Sequence, residues 1–288
     1  MPPAASTPLS VLEVVRKTSE FLASKGVESA RLNSELIVGH ALGLPRMRLY
    51  LEFERAVSEA ELGSIREMVR RRGRREPLQY VIGHCEFHGL RLKADRRALI
   101  PRPETEFLVE TLLGRLPSPP ARILDLGTGG GAIALALAKA YPEARVTAAD
   151  SSADALALAA ENAEAAGLSA RVAFVASDWF GSLLAGEKFG LIVSNPPYLS
   201  GDEAASAPPE VRNFEPARAL ASGAGGFADI AAIIAGAPGF LLDGALLAIE
   251  TGPGHHALAG EAAAAAGLGR SESLKDLAGR DRYFLAWR

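Results

Sequence analysis

The sequence predicts an α/β fold: a parallel sheet with helices on both faces, preceded by a small N-terminal helical bundle and a linking β-hairpin. Three observations carry this reading. Residues 1–75 show apolar side chains at helical spacing. From Ala121 onward, short apolar runs alternate with helical stretches, the pattern of a parallel sheet. A glycine-rich turn follows the first of those runs and opens a helix. With 288 residues, 48% of them hydrophobic, the chain has room for one large domain and one small one. The boundaries fall at 1–77, 78–103 and 104–288.

Taken in order, Ser10–Lys25 places Val11, Val14, Val15, Thr18, Phe21 and Leu22 on one helical face, and Gly26 stops it. Ala30–Leu42 repeats the pattern and ends at Gly43. Glu59–Arg72 follows, with Ser58 as N-cap and Glu61 in capping-box position. That helix runs into Arg70, Arg71, Arg72, Arg74 and Arg75. The cluster is either a solvated helix end favoured by the dipole or a surface for an acidic or RNA-linked partner. Tyr80–Ile82, Cys85–Phe87 and Leu90–Leu92 are short apolar runs broken by Gly83 and Gly89, read as the hairpin. A helix at 104–115 is expected to end at Pro117, Pro119 and Pro120. Strands are expected at Ile123–Leu126, Arg145–Ala149, Arg171–Ala176, Leu191–Ser194 and Ala245–Glu250. Helices are expected at 131–140, 152–166 and 226–240, with another over Ala262–Ala266. Ser200–Pro209 reads as a lid or a mobile loop.

Charge is unevenly divided. Residues 1–105 carry 18 Lys/Arg against 13 Asp/Glu, and residues 106–288 carry 13 against 21. A basic front and an acidic back suggest two domains with different jobs. The overall acidity weakens, without excluding, a nucleic-acid substrate. Cys85 is the only cysteine, which excludes an internal disulfide and fits a reducing cytoplasm. Met1 to Leu12 lacks the charged and apolar regions of a signal peptide. No apolar run reaches the roughly 18 residues of a membrane span. His40, His84, His88, His255 and His256 show no ligand spacing with carboxylates, so no metal site is expected.

Asp125-Leu126-Gly127-Thr128-Gly129-Gly130-Gly131 supplies the glycine turn, where backbone can approach a ligand without a Cβ in the way. Asp150 ends the next strand and can accept hydrogen bonds from both hydroxyls of a ribose. A nicotinamide dinucleotide competes for this motif. Asp178 can accept from an adenine amino group, and Trp179 can wall an adenine pocket or serve as a buried structural residue.

Asn195-Pro196-Pro197-Tyr198 decides against the dinucleotide. With proline near 5% of residues, chance yields this tetrapeptide in roughly one chain of this size per thousand. An amide or aromatic amine nitrogen is a poor nucleophile because its lone pair is delocalised, the same delocalisation that stiffens the peptide bond. A sulfonium methyl donor is already activated. The enzyme must supply orientation and acceptors that strengthen as the nitrogen becomes cationic. The Asn195 side-chain oxygen can accept one N–H and the Pro196 carbonyl the other. Consecutive prolines fix φ near −65° and hold the loop extended. Tyr198 offers a face on which a planar group can stack. The motifs together indicate S-adenosyl-L-methionine and a Rossmann-like class I methyltransferase domain.

These residues resemble the PrmC/HemK family of release-factor glutamine N5-methyltransferases. The likeness includes Glu76 to Tyr80, Gly83, Pro101 to Glu106, Asp125 to Gly131, Asp150, Asp178 to Phe180, Ser194 to Tyr198, Phe214 to Pro216, Ala219-Leu220 and Asp276 to Arg280. It implies that Gly127, Thr128, Gly129, Gly130, Gly131, Asp150, Trp179 and Asn195 bind the cofactor, with Asp178 beside them. It implies that Asn195, Pro196, Pro197 and Tyr198 hold the glutamine of a Gly-Gly-Gln loop, and that the helical front domain and hairpin grip a peptide chain release factor. Two departures stand out. His255 occupies a place where the family commonly has Gln, so a changed surface loop with intact chemistry is expected. Gly223-Ala224-Gly225-Gly226 lacks a usual acid. The alternative is an amino-methyltransferase acting on adenine or guanine, which would need a basic groove or base-reading domain. A monomer in the cytoplasm is expected, with no membrane partner and no direct nucleic-acid substrate.

Overall fold

A computed structural model describes residues 8–116 and 118–288. The reading of residues 1–7 and the helix-breaking role of Pro117 lie outside them. The chain divides into two compact units. One runs up to Gly83 and takes in Pro209–Phe214; the other comprises His84–Pro208 and Glu215–Arg288.

The first unit is helical. Helix α1 (Val11–Ser24) opens on a capping box between Ser10 and Glu13, and its buried face is Val11, Val14, Val15, Thr18 and Leu22. Helix α2 (Ala30–Leu42) ends at left-handed Gly43. Helix α4 (Glu59–Gly73) begins with the Ser58–Glu61 capping box. A short helix absent from the sequence reading, α3 (Arg46–Leu51), lies between α2 and α4. Six residues are too few to display a period, and its cause is a buried charge. The Glu35 carboxylate on α2 accepts from Arg31 Nε at 2.5 Å, Arg46 Nε at 2.6 Å and Tyr50 Oη at 2.8 Å, so a buried anion is paired as it must be.

The arginine run is mostly committed inside this unit. Arg71 Nε and Nη2 donate to the two oxygens of Glu76 at 2.9 and 2.8 Å. Buried Arg72 meets Asn33 and Glu210, and Arg75 meets both oxygens of Glu210 at 2.7 Å. Helix α10 (Pro209–Phe214), which carries Glu210, belongs to this unit for that reason. Tyr80–Ile82 corrects the sequence reading. It is not the first run of the hairpin but part of helix α5 (Leu78–Ile82), started at Pro77 and ended by left-handed Gly83. A short apolar run cannot be assigned to strand or helix by periodicity alone.

The second unit opens with the hairpin β1 (His84–Phe87) and β2 (Leu90–Lys93). Its two turn residues, His88 and Gly89, both have positive φ, the tight turn that matches strand twist. Helix α6 (Pro103–Arg115) follows, with Pro103 in its first turn. Then strands and helices alternate: β3 (Arg122–Leu126), α7 (Ala132–Ala140), β4 (Arg145–Asp150), α8 (Ala153–Ala165), β5 (Val172–Ala176) and β6 (Phe189–Ser194). The Ser200–Pro209 stretch contains α9 (Gly201–Ser206), capped by a Ser200–Glu203 box. A tight turn, α11 (Gly223–Gly226), leads to α12 (Ala228–Gly236), β7 (Leu241–Glu250), α13 (His256–Ala265), β8 (Arg270–Lys275) and β9 (Asp281–Trp287).

The sheet order is β5-β4-β3-β6-β7-β9-β8. Strands β3 to β7 are parallel, while β9 runs antiparallel to β7 and β8. The parallel strands are near-continuous apolar runs because both faces are covered; Ile123, Leu124, Leu191, Ile192, Val193 and Leu247 are fully buried. The β8–β9 hairpin is an addition to the sequence reading. Edge strand β8 carries Arg270, Glu272 and Lys275, as an exposed edge should, and so hides its strand character. Buried Tyr283–Ala286 in β9 is the signal that marks the hairpin. No helix of the described residues is long and apolar enough to cross a membrane.

Candidate active site

The strand order reverses between β4 and β6 on either side of β3, and open sheets bind ligands at the carboxyl edge of such a point. A cavity of about 210 Å³ opens there, within the second unit. The glycine turn between β3 and α7 forms one wall. Gly127 N and Thr128 N donate to Ala149 O at 2.8 and 3.0 Å, tying the turn to β4. Gly127 has φ +69°, and a Cβ there would lie 3.4 Å from the Trp179 ring. The positive φ is what favours glycine here, and a Cβ would sit in ordinary contact with the indole.

Asp150, at the end of β4, takes Gly129 N on Oδ2 and Ser152 N on Oδ1, each at 2.8 Å. Each oxygen keeps a second lone pair, so the carboxylate is oriented without being used up. Asp178 and Trp179 line the same cavity, two and three residues beyond the end of β5. Trp179 holds φ +46°, a conformation unusual for a bulky residue. Ser177 Oγ donates to Trp179 O at 2.8 Å, and Trp179 Nε1 donates to Asp229 Oδ1 at 3.2 Å. Beneath the turn, buried Asp125 accepts from Thr128 Oγ1 at 2.7 Å and Ala134 N at 3.0 Å. Burial pushes its carboxyl up to about 7.

The tetrapeptide follows β6. Ser194 Oγ donates to Leu126 O at 2.7 Å and locks the ends of β6 and β3 together. Asn195 and Pro197 reach the cavity, together with Gly127, Thr128, Gly129 and Gly130. Gly131, Pro196 and Tyr198 do not line it. Gly131 is the left-handed N-cap of α7, the Pro196 ring is buried, and the Tyr198 hydroxyl is held by two partners. It donates to Glu250 Oε1 at 3.3 Å and accepts from Arg282 Nη1 at 3.2 Å. Burial raises the Tyr198 hydroxyl pKa, so it stays protonated. His255 packs beside this loop, its ring centroid 5.8 Å from that of Phe227.

Sequence reasoning missed several cavity residues. Thr105 reaches the cavity from α6, Arg97 from a loop, Arg218 from the 3-10 turn Ala217–Ala219, and Asp229 from α12. Thr105 Oγ1 accepts from Asn195 Nδ2 at 2.9 Å and donates to Glu250 Oε2 at 2.7 Å. Thr105 lies in the Arg-Pro-Glu-Thr segment noted in the sequence, which was the available signal; Asp229 has none.

Comparison with known proteins adds to this geometry. The sequence model of the PrmC N-terminal domain matches residues 13–83, and that of the methyltransferase small domain matches residues 103–215. A release factor glutamine methyltransferase of Rhodopirellula baltica is 40% identical over 285 residues, covering 96% of this chain and 95% of the relative. The chain belongs to the release factor glutamine methyltransferase family. Another member, from Moorella thermoacetica, is 42% identical over 278 residues and covers 96% of both chains. Among solved structures, the catalytic domain of hMettl16 in complex with the MAT2A 3′UTR hairpin 1 is similar, with a TM-score of 0.56, 19% identity and 80% of each chain covered. The 16S rRNA N2 G1207 methyltransferase of T. thermophilus, in complex with AdoMet and guanosine, has a TM-score of 0.52 at 20% identity, covering 71% of this chain and 49% of that one. These two structures share the fold with this member of the release factor glutamine methyltransferase family.

Proposed function

We propose that the chain transfers the methyl group of S-adenosyl-L-methionine to the side-chain amide nitrogen, N5, of the glutamine in the Gly-Gly-Gln motif of a peptide chain release factor. The observation that carries this reading is the meeting of Asn195 with the glycine turn in one cavity. Membership of the release factor glutamine methyltransferase family supports the same substrate, and the relatives' names give no support to an adenine or guanine acceptor.

The cavity fits the cofactor by its own chemistry. Asp150 retains free lone pairs for ribose hydroxyls, and Trp179 packs over the glycine turn. In this assignment Gly127, Thr128, Gly129, Gly130, Asp150, Asp178, Trp179 and Asn195 hold it, and Gly131 caps α7 behind the turn. When bound, the cofactor supplies an electrophilic methyl group on a sulfonium.

The remaining work falls to the chain. Asn195 Oδ1 and the Pro196 carbonyl accept the two N–H groups of the glutamine amide and aim its lone pair. Pro197 stiffens the loop, and the Tyr198 ring packs beside the amide plane. Both acceptors gain strength as the nitrogen becomes cationic, which selects the transition state over the ground state. The nitrogen becomes acidic only after it takes the methyl group, so no side-chain base is needed before attack, and the proton leaves to water. The helical unit, with a family-model match over residues 13–83, is assigned to holding the release factor, with the chain acting as a monomer.

The test is incubation with methyl-labelled S-adenosyl-L-methionine and, separately, a release factor, ribosomal RNA and DNA. Label is expected on the Gly-Gly-Gln glutamine. Label on RNA or DNA alone overturns the reading. Asn195→Ala is expected to retain measurable cofactor binding while turnover falls about a hundredfold or more.

A further inference from the structure

The tetrapeptide needs one particular end of the Asn195 amide to face the substrate. Oδ1 accepts an N–H; Nδ2 in the same place would repel it. The two ends are nearly equal in size, so packing alone does not choose between them. Hydrogen counting does. Glu250 is 1% exposed, and as a carboxylate it can only accept. Thr105 has a single hydroxyl proton and gives it to Glu250 Oε2 at 2.7 Å. Thr105 Oγ1 can therefore only accept on its other side, and the group it meets at 2.9 Å must be a donor, Asn195 Nδ2. Oδ1 is left free as an acceptor. The other oxygen of the same carboxylate accepts from the Tyr198 hydroxyl. One buried carboxylate thus sits under both polar ends of the tetrapeptide.

We infer that Glu250, acting through the Thr105 hydroxyl, is the positioning residue that fixes which end of the Asn195 amide faces the glutamine nitrogen. This inference rests on the proposed methyl transfer and deepens it. Neither Thr105 nor Glu250 touches the reacting atoms; they act through Asn195.

Protonation of Glu250 breaks the logic. A carboxylic acid can donate to Thr105, which frees the threonine proton to point at Asn195 and allows the amide to turn over. The groups facing Glu250 are Thr105 and Glu104 on α6, Tyr198 on the loop, and Arg282 and Tyr283 on β9. Burial outweighs the nearby Arg282 and pushes the Glu250 carboxyl up to about 7. Correct orientation is then lost as pH falls through neutrality.

The test uses Thr105→Val, which keeps volume and removes the hydroxyl, Thr105→Ser, which restores it, and Glu250→Gln, which can donate. Thr105→Val is expected to lower kcat ten- to hundredfold, with cofactor affinity and KM for release factor within threefold. Thr105→Ser is expected to return kcat to within threefold of the parent. The parent's kcat is expected to fall with a midpoint near pH 7, and Glu250→Gln to be slow and flat across that range. A second readout is independent of turnover. The chain has four asparagines, so 15N-asparagine labelling resolves the Asn195 side-chain NH2, assigned by its loss in Asn195→Ala. Its signals are expected to titrate near pH 7 in the parent and to shift in Thr105→Val. Parent-like kcat in Thr105→Val, or Asn195 signals unmoved by that change, overturns the inference. If the parent labels no release factor while the Asn195 signals behave as described, the functional reading fails and the orientation relay stands.

Discussion

Arg102 Nη2 lies 2.6 Å from Glu215 Oε1, joining residues 113 apart in sequence. Glu215 is buried and also accepts Ile100 N at 3.3 Å. The pair ties the segment entering α6, which carries Thr105, to the segment that returns after α10 and carries Pro216 and Arg218. Both segments line the cavity. The Arg-Pro-Glu-Thr and Phe-Glu-Pro motifs are thus two halves of one contact.

Removing Arg102 strands the Glu215 carboxylate. Burial raises the Glu215 pKa even with Arg102 beside it. Breaking a buried pair costs about 3–5 kcal/mol, and the partial exposure of Arg102 reduces this to about 2–3 kcal/mol. Arg102→Ala is expected to show that loss in urea unfolding at pH 8. The loss should shrink at pH 5, where the stranded carboxyl takes a proton. An equal loss at both pH values contradicts the account.

Gly226 sets the position of the Asn195–Tyr198 loop from behind. Its φ is +95°, and a Cβ there would lie 2.2 Å from Tyr198 O and 3.2 Å from His255 Cε1. The first neighbour is backbone and cannot swing away. Gly226→Ala is expected to displace the tetrapeptide, lowering kcat by about a hundredfold while cofactor affinity changes little. Parent-like kcat rules out a tight seat. The same geometry gives His255 a place, packed beside the loop rather than at the reacting atoms.

Asp229 holds the Trp179 indole through one hydrogen bond of 3.2 Å. Such a bond contributes about 1 kcal/mol, so Asp229→Ala is expected to weaken cofactor binding about fivefold. The chain has two tryptophans, and a Trp287→Phe background isolates Trp179 emission. The cofactor-induced change in that emission should be smaller in Asp229→Ala. Unchanged affinity and emission contradict the proposed restraint.

The residues legible in the sequence are those that act through backbone or through short local motifs. The Ser58–Glu61 box, the turn at Gly127 to Gly131, and the Asn195 loop each declare themselves within a few positions. The parallel strands show as apolar runs because both faces are buried. What the sequence hides is made by distant partners. Helix α3 exists because Arg46 and Tyr50 converge on Glu35, and edge strand β8 is too polar to read as a strand. Asp229 joins the site from 50 residues beyond Trp179. Thr105 meets Asn195 across 90 positions of chain and Glu250 across 145, separations at which no spacing rule operates.

Stability should carry the signature of two of the buried carboxyls. Glu250 and Asp125 are each pushed up to about 7 by burial. A carboxyl with a raised native pKa binds its proton more tightly when folded, so it favours folding when protonated. Its contribution is full below the unfolded value near 4 and is lost as pH rises through about 7. Unfolding free energy is therefore expected to decline between pH 5 and pH 8. Glu250→Gln removes the cost of ionising one group, at most about 3 kcal/mol, and should be more stable than the parent at pH 8 with little difference at pH 5. The same variant is expected to turn over slowly. A residue needed for packing alone would lose stability and activity together, so urea midpoints and kcat measured at both pH values separate the two roles. A Glu250→Gln chain less stable than the parent at pH 8 contradicts the assignment of Glu250 as a carboxylate held ionised at a cost to the fold.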